Sequence, residues 1–418
     1  MKFRLLDLLA CPACGAYPFH LKVLESEPHA AGAKMSPRCS HFCGSLQKDL
    51  DGTSRTGAAD CRKCYSEEIR FGLLSCPSCP REYPIIDGVP RFNPDTFEDY
   101  PQHLEKFRPH FRQQQNVESA SFRAAHAHTK SSFGYQWLKF KAGVGTDDDN
   151  AAHFYRRTQT TPGNLGKTLF FEAGCGMGRY LKVIGEEPEA EVVGLDLSLA
   201  VNRAYEENRL NPRVHTVQGN ILEMPFRPEI FDHTYSIGVL HHTPDTKRAF
   251  LSMVRLLKPG GRATVWLYHK WVTPEMRGFP RLHARLKGWI TDGLRVITIR
   301  IPHPILTYMC YAAVPVGWLQ RKIMDGPKIL RYLLSPLLLV NCSVVKNPAQ
   351  RVCDTFDWYS PVYQWKHTVP EVVGWFQELG YERISPDGFP VSVRGSRPVR
   401  QNERTLTAAG SLQGPDKT

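Results

Sequence analysis

"TLFFEAGCGMGRYL", residues 168–181, decides the fold. An apolar run, Leu169 to Phe171, is short enough for a buried strand and ends at Glu172. Three glycines then alternate with Cys175 and Met177, and Arg179 with Tyr180 opens "GRYLKVIGEE", a helix stopped at Pro188. The rhythm continues as strand "EVVGLDLS", helix "LAVNRAYEENRL", strands "RVHTVQGNI" and "FDHTYSIGVL", helix "TKRAFLSMVRLL" and strand "RATVWLY". Strands spaced by helices of this length predict an α/β protein with a doubly wound parallel sheet, whose ligand sits beyond the carboxyl ends of the strands.

The glycine turn narrows the ligand. Gly174, Gly176 and Gly178 alternate, and Arg179 stands where the last glycine of a dinucleotide fingerprint belongs. Glu172, just ahead of the turn, would repel a pyrophosphate but attract a cationic amino-acid moiety. Asp196 ends the next strand, where a carboxylate can accept ribose hydroxyls. Ribose, a positive amino group and no phosphate together describe S-adenosylmethionine.

Five stretches, "FFEAGCGMGRY", "VVGLDLS", "VQGNILEMPF", "FDHTYSIGVLHHTPD" and "LLKPGGRATVWLY", resemble in order and spacing the class I S-adenosylmethionine-dependent methyltransferases, nearest to the type 11 group. The resemblance covers residues 133–270 and implies a seven-stranded, Rossmann-like sheet. It further implies that Gly174, Cys175, Gly176 and Gly178 approach the methionine part and that Glu172 orients its amino group. Asp196 and Leu197 would hold the ribose side, Asn220 and Ile221 the adenine, and Ile237 would lie near the site. Asn220 stands where Asp is frequent, but an amide oxygen still accepts from an adenine amine.

Methyl transfer needs an aligned nucleophile, plus a base when that nucleophile carries a proton. His241 and His242 follow the fourth strand and are candidates for base or substrate contact, with Tyr268 and His269 on the opposite wall. "DTFDWYSPVYQWKHT" resembles a stretch over the acceptor pocket of many type 11 relatives. It makes Tyr359, Tyr363 and His367 acceptor-site candidates in a loop, with Asp354, Asp357 and Trp358 beside them. Thr368 and Glu371 form a capping box for the helix that follows.

Eight of the twelve cysteines crowd into the first eighty residues. The start "MKFRLLDLLACPAC" reaches cysteine before an apolar leader is complete, which predicts a cytoplasmic, reducing setting and metal ligation over disulfides. Pairs at 11/14, 61/64 and 76/79 have C-x2-C spacing, and 39/43 has one residue more. Two such knuckles complete a closed, structural Zn²⁺ site. "LLDLLACPACGAYPFHL" and "LLSCPSCPREYPIIDGVPRFNP" resemble the halves of the zinc-ribbon domain that serves as an activating subunit of tRNA and protein methyltransferases. On that likeness Cys11, Cys14, Cys76 and Cys79 share one zinc. Cys39, Cys43, Cys61 and Cys64, in an insertion over 25–70, share a second, with His41 a substitute ligand. A cross-braced pairing fits the spacing equally.

The remaining organisation is a zinc-ribbon domain over 1–94, a linker over 95–132 with surface histidines at 103, 110, 126 and 128, and an aromatic cluster from Phe133 to Phe140. After the methyltransferase core, 271–353 is a basic, apolar, helical insertion holding a net +9 of the chain's +12 between Arg281 and Arg351. Pro302, Pro304 and Pro315 argue against a spanning helix, leaving a lid or a membrane-surface element. Residues 354–393 complete the methyltransferase fold, and 394–418 read as a disordered tail. The expected function is methylation of a small or lipid-like acceptor, with peripheral membrane association a partner class. The alternatives are RNA or protein methylation, with the ribbon gripping the macromolecule, and a non-catalytic cofactor-binding module. Nucleic acid is not favoured, because the fourth strand ends in "SIGVLHHTPD" and lacks an "NPPY"-like turn.

Overall fold

The computed structural model describes all residues except 29–37, 51–63, 65, 110–119, 141–145, 388–390 and 400–418. The chain opens with a 3-10 turn, Phe3–Asp7, followed by β1 (His20–Pro28), β2 (Phe42–Cys43), β3 (Lys48–Asp49), β4 (Glu67–Ser75), β5 (Glu82–Ile86) and β6 (Val89–Pro90). Strands β1-β4-β5-β6 form an antiparallel sheet, and β2-β3 a separate hairpin.

This small domain is seated on the larger one by three kinds of contact. Backbone pairing comes first: Leu9 bridges Phe226, and Arg91 bridges Gln218 in parallel with Phe92 N donating to Gln218 O at 2.9 Å. The second pairing covers backbone that would otherwise be an open sheet edge. Leu5, Leu9, Phe19 and Phe92 then share one buried apolar cluster with Phe171, Phe226 and Phe231. Last, the buried Arg4 guanidinium spans Asp7 at 2.6 Å and Glu191 at 3.1 Å, and Asp7 accepts the N–H groups of Ser40, His41 and Phe42. Losing Arg4 would remove the cation shared by two buried carboxylates.

The larger sheet consists of β7 (Leu169–Ala173), β8 (Glu191–Asp196), β9 (Val214–Gln218), β10 (Phe231–Ile237), β11 (Leu257–Trp266), β12 (Glu382–Pro386) and β13 (Ser392–Ser396). Its order is β12-β13-β11-β10-β7-β8-β9. Strands β7 to β11 are parallel, and β13 runs antiparallel between β11 and β12. Every residue of β7, β8 and β9 is buried, as expected of strands covered on both faces. Apart from two four-residue helices, Thr96–Asp99 and Leu104–Phe107, the described α-helices are α1 (Ala120–Lys139), α2 (Asp147–Thr158), α3 (Arg179–Gly185), α4 (Ala200–Asn208), α5 (Thr246–Val254), α6 (Gly278–Thr298), α7 (His303–Asp325), α8 (Lys328–Leu333), α9 (Pro348–Tyr359) and α10 (Val369–Glu378).

Three sequence boundaries move. Helix α1 crosses from the expected linker into the core and carries Thr129 and Lys130 to the cavity wall. The expected acceptor loop begins as helix: Asn347 caps α9 from its side-chain oxygen, so Asp354, Asp357, Trp358 and Tyr359 are helical. Residues 394–396, expected in the tail, belong to β13 and pair with β11, and residues 400–418 lie outside the described residues. Among the expected surface histidines, His103 faces Asp87 at 3.8 Å, and His128 is half-buried with Nε2 2.7 Å from Ile299 O. Residue 110 and the side chain of residue 126 lie outside the described residues.

Candidate active site

A cavity of about 1100 Å³ opens at the carboxyl ends of β7, β8, β10 and β11. One half is built by the glycine turn. Gly174 has φ +85°, and a Cβ there would meet Val239 Cγ1 at 2.4 Å, so a side chain is excluded by both backbone and neighbour. Its N–H and that of Cys175 donate to Leu195 O at 2.8 and 3.0 Å, tying the turn to β8. Gly176 N donates to Asp196 Oδ2 at 2.8 Å, while Ser198 N and Oγ donate to Oδ1 at 2.8 and 2.7 Å. Ser198 thus fills Oδ1 and leaves acceptor capacity at Oδ2, enough for one ribose hydroxyl without rearrangement.

Glu172 is buried at the end of β7 and accepts the Tyr235 hydroxyl at 3.1 Å. Burial pushes its carboxyl up to about 8, opposed by the Tyr235 hydrogen bond and the Arg179 charge. An acid kept at the edge of ionisation is suited to a cation arriving beside it. Asn220 Oδ1 accepts from Leu222 N at 2.9 Å and retains a second lone pair for an exocyclic amine. Leu197, Ile221 and Ile237 line the same half, and Trp137 lies over Gly176. A cradle closed to side chains, a buried acid, a ribose-side carboxylate and flanking apolar residues fit S-adenosylmethionine.

One cofactor-side expectation requires correction. Gly178 does not line the cavity: at φ +82° its missing Cβ would lie 2.9 Å from Ala204 Cβ, so it serves the close packing of α3 on α4. Cys175 borders the cavity, but its sulfur packs where a side chain on Gly194 would stand, 2.8 Å away, and burial raises its thiol far above the ordinary value.

The other half gathers distant segments. His242 is buried, and its Nδ1 lies 2.9 Å from Tyr363 O. A carbonyl only accepts, so Nδ1 carries the proton and Nε2 presents its lone pair. Among the described residues Nε2 has no hydrogen-bond partner, and it stands 3.9 Å from Asp357 Oδ2. Burial lowers the His242 pKa below the ordinary 6.5, against the opposing pull of Asp357. Asp357 in turn accepts the Tyr268 hydroxyl. Asp354, held by Ser343 Oγ at 2.9 Å, is raised by burial to about 6. Lys287 and Lys366 flank the Trp271 ring at 5.3 and 5.5 Å on the insertion side, with His269 and His283 alongside. The segment 361–367 straps across this half: Trp365 N donates to His241 O at 2.9 Å and His367 N to Tyr268 O at 2.8 Å.

Tyr363 lines the cavity, but three other candidates do not reach it. His241 is fully buried and stacks on Tyr268 at 4.0 Å, with its pKa driven far down by burial. The Tyr359 hydroxyl donates to Asn341 O at 3.0 Å, and His367 Nδ1 is held 2.8 Å from Glu371 Oε1. Sequence reasoning missed α2, which brings Asn150, His153 and Arg157 to the wall. Its signal was readable: Thr146 and Asp149 form a full capping box.

In the small domain, Cys11, Cys14, Cys76 and Cys79 place their sulfurs within 4.8 Å of one another. The pairs 11/79 and 14/76 stand at 3.7 and 3.5 Å. Four thiolates around a tetrahedral Zn²⁺ would be about 3.8 Å apart, so the set fits a closed structural zinc site. The outer pairs share the site, and the cross-braced alternative is excluded. Of the expected second set, Cys39, Cys43 and Cys64 influence one another's charge beside Asp7, but they do not form such a cluster among the described residues. Cys61 lies outside the described residues.

Residues 171–265 match the family described as a methyltransferase domain, and residues 2–88 match the Trm112p-like protein family. A 24-methylenesterol C-methyltransferase 2 of Oryza sativa subsp. japonica is 34% identical over 33% of this chain and 39% of its own length. A phosphoethanolamine N-methyltransferase 2 of Caenorhabditis elegans is 31% identical over 32% of this chain and 31% of its own. A solved S-adenosylmethionine-dependent methyltransferase from Mesorhizobium loti is 24% identical over 30% of this chain and 57% of that one, with a TM-score of 0.27. The chain thus spans about two fifths or less of these curated relatives. It joins a Trm112p-like domain with a four-cysteine cluster to a class I methyltransferase domain.

Proposed function

We propose that the protein transfers a methyl group from S-adenosylmethionine to a small or lipid-like acceptor. The observation that carries this reading is His242, which lines a cavity continuous with the glycine cradle and whose Nε2 is buried with no hydrogen-bond partner among the described residues. A module that only bound the cofactor would not need a neutral, tautomer-fixed imidazole there. Glu172, Asp196 and Asn220 would hold the cofactor, which supplies an electrophilic methyl group when bound. The chain's own part is to align the acceptor, exclude water beneath the 361–367 strap, and accept the acceptor's proton at His242 Nε2. Tyr268 and Asp357 position that imidazole. Lining by Trp271, Met324, Leu338 and Trp358 suits an apolar body, and Lys287 with Lys366 suits a polar or anionic end.

The ribbon domain bears on the macromolecular alternative. Its β6 side and its first turn are spent on the sheet edge and on Glu191 of the same chain. That arrangement favours support of the methyltransferase domain over a grip on RNA or protein. Incubation with methyl-labelled S-adenosylmethionine and a fractionated cell extract tests the proposal. Label extracted into organic solvent or the small-molecule fraction is expected; label confined to RNA or protein overturns the acceptor class, and cofactor binding without transfer overturns the activity.

A further inference from the structure

Helix α6 is built inside out. The residues it buries are Gly288, Thr291, Arg295 and Thr298, while Phe279, Leu282, Leu286, Trp289 and Val296 face solvent, Trp289 at 85% exposure. Arg295 donates to the carbonyls of Trp358 and Pro361, and Thr298 to that of Tyr359, so its inward face is held by hydrogen bonds rather than by apolar burial. Helix α7 buries Leu306, Cys310 and Ile323 beside Thr307, Gly317 and Gln320, yet its other face exposes Ile305, Tyr308, Tyr311 and Trp318. None of the six residues of α8 is buried, and Ile329, Leu330, Tyr332 and Leu333 are all exposed. A soluble helix ordinarily does the reverse, and contiguous apolar area on this scale marks an interaction surface.

Three observations identify what covers it. The elements are contiguous: the Phe279 and Tyr332 rings lie 4.6 Å apart, and His283 Nε2 contacts Ser335 O at 2.9 Å. The exposed ionic groups around the patch are mostly cations, Arg285, Lys322, Lys328 and Arg331, with Asp325 paired to Arg321 and Asp292 to Lys366. Exposed tryptophan and tyrosine among them is the composition of a membrane-interface element. Finally, Met324 is 49% exposed and also part of the cavity wall, as are His283 of α6 and Leu338 after α8. No described helix is long and apolar enough to cross a membrane.

We infer that α6, α7 and α8 dock in the plane of an anionic lipid bilayer and admit a membrane-borne amphipathic acceptor past Met324. The apolar side chains enter the headgroup boundary, and the cations meet lipid phosphates. The inference rests on the proposed methyl transfer only for the nature of the delivered molecule; the docking stands or falls separately.

Co-sedimentation of the full chain with phosphatidylcholine vesicles, with and without phosphatidylglycerol, tests it, alongside calorimetric cofactor binding on the same preparations. Partitioning at least tenfold stronger on the anionic vesicles is expected, weakened but not abolished by high salt. The double variant Ile329→Asp/Leu333→Asp, on a helix with no buried residue, should lose at least tenfold in partitioning with cofactor affinity unchanged. Lys328→Glu/Arg331→Glu should remove the preference for anionic lipid. Absence of partitioning, equal partitioning of the apolar variant, or lipid-free self-association that the variant abolishes would overturn the inference. In the last case the face belongs to a second copy of the chain. Docking without methyl transfer to any organic-phase or small-molecule acceptor would overturn the proposed function and leave the docking intact.

Discussion

The two halves of the cavity are made by different means. On the cofactor side, Glu172, Asp196 and Ile237 end strands β7, β8 and β10, and Asn220 follows β9, so parallel register alone brings them together. On the acceptor side, His242, Tyr268, Lys287, Asp354 and Tyr363 come from five segments whose meeting depends on long-range packing. Local rules therefore place the first set, and only the whole fold places the second. The predictions below probe whether the halves are also functionally separable.

The largest expected effect is on the acceptor side. His242→Ala should lower kcat by about 10²–10³-fold, the ordinary range for removal of a general base. S-adenosylmethionine affinity, measured by calorimetry, should stay within about twofold. Because His242 is held below 6.5 by burial, the wild-type acid limb should lie below that value, and the variant should lose it. An equal loss of cofactor affinity would break the division into halves.

Next comes Glu172→Gln, expected to weaken cofactor binding about 30–100-fold by removing a buried charge partner. The pH dependence sharpens this. The ligand-free carboxyl titrates at about 8, so at pH 7 it is mostly protonated, and binding a cation drives the proton off. Wild-type affinity should therefore rise up to about tenfold per pH unit between 6 and 8, and the variant should be flat. The stability sign runs opposite. A carboxyl raised above its unfolded value stabilises at low pH and loses that contribution as pH climbs toward 8, so the ligand-free variant should melt no lower than wild type at pH 8. A lower melting temperature would mean that Glu172 is structural.

Legibility followed the same division. The strand-turn-helix of 168–181, the acid before it and the acid ending β8 are separated by fixed spacings, which a sequence displays directly. The zinc cluster was readable for the same reason, each C-x2-C being one local knuckle. Tyr359 and His367 misled because residues adjacent in sequence alternate sides once α9 and the strap form; Asp357 and Tyr363 face the cavity instead. Helix α2 was missed although its capping box was present, since its apolar face is sparse: "DDDNAAHFYRRT" buries Phe154 but few other apolar residues. The inversion of α6 was hidden because composition reports apolar content, not which way it faces.

A smaller effect separates packing from binding within the cofactor half. Gly178→Ala puts a β-carbon at φ +82° and 2.9 Å from Ala204 Cβ, which should cost about 2 kcal/mol of stability. Because Gly178 stands outside the cavity, cofactor affinity should change by less than about threefold in the protein that remains folded. A loss comparable to that of Glu172→Gln would return Gly178 to the binding site.

The smallest effect tests the acceptor half in the same way. Tyr359→Phe removes one hydroxyl donated to Asn341 O at 3.0 Å and leaves the ring in its apolar cluster with Leu306, Cys310 and Phe356. The expected cost is about 1 kcal/mol, that of one buried hydrogen bond, measured by urea unfolding. Turnover should stay within about twofold, because no polar atom of Tyr359 faces the acceptor. Asn341 itself lines the cavity, so a loosened carbonyl would appear as a raised KM at constant kcat. A fall in kcat beyond tenfold with unchanged stability would make Tyr359 a catalytic residue, and the acceptor half would then extend through the wall that α9 forms.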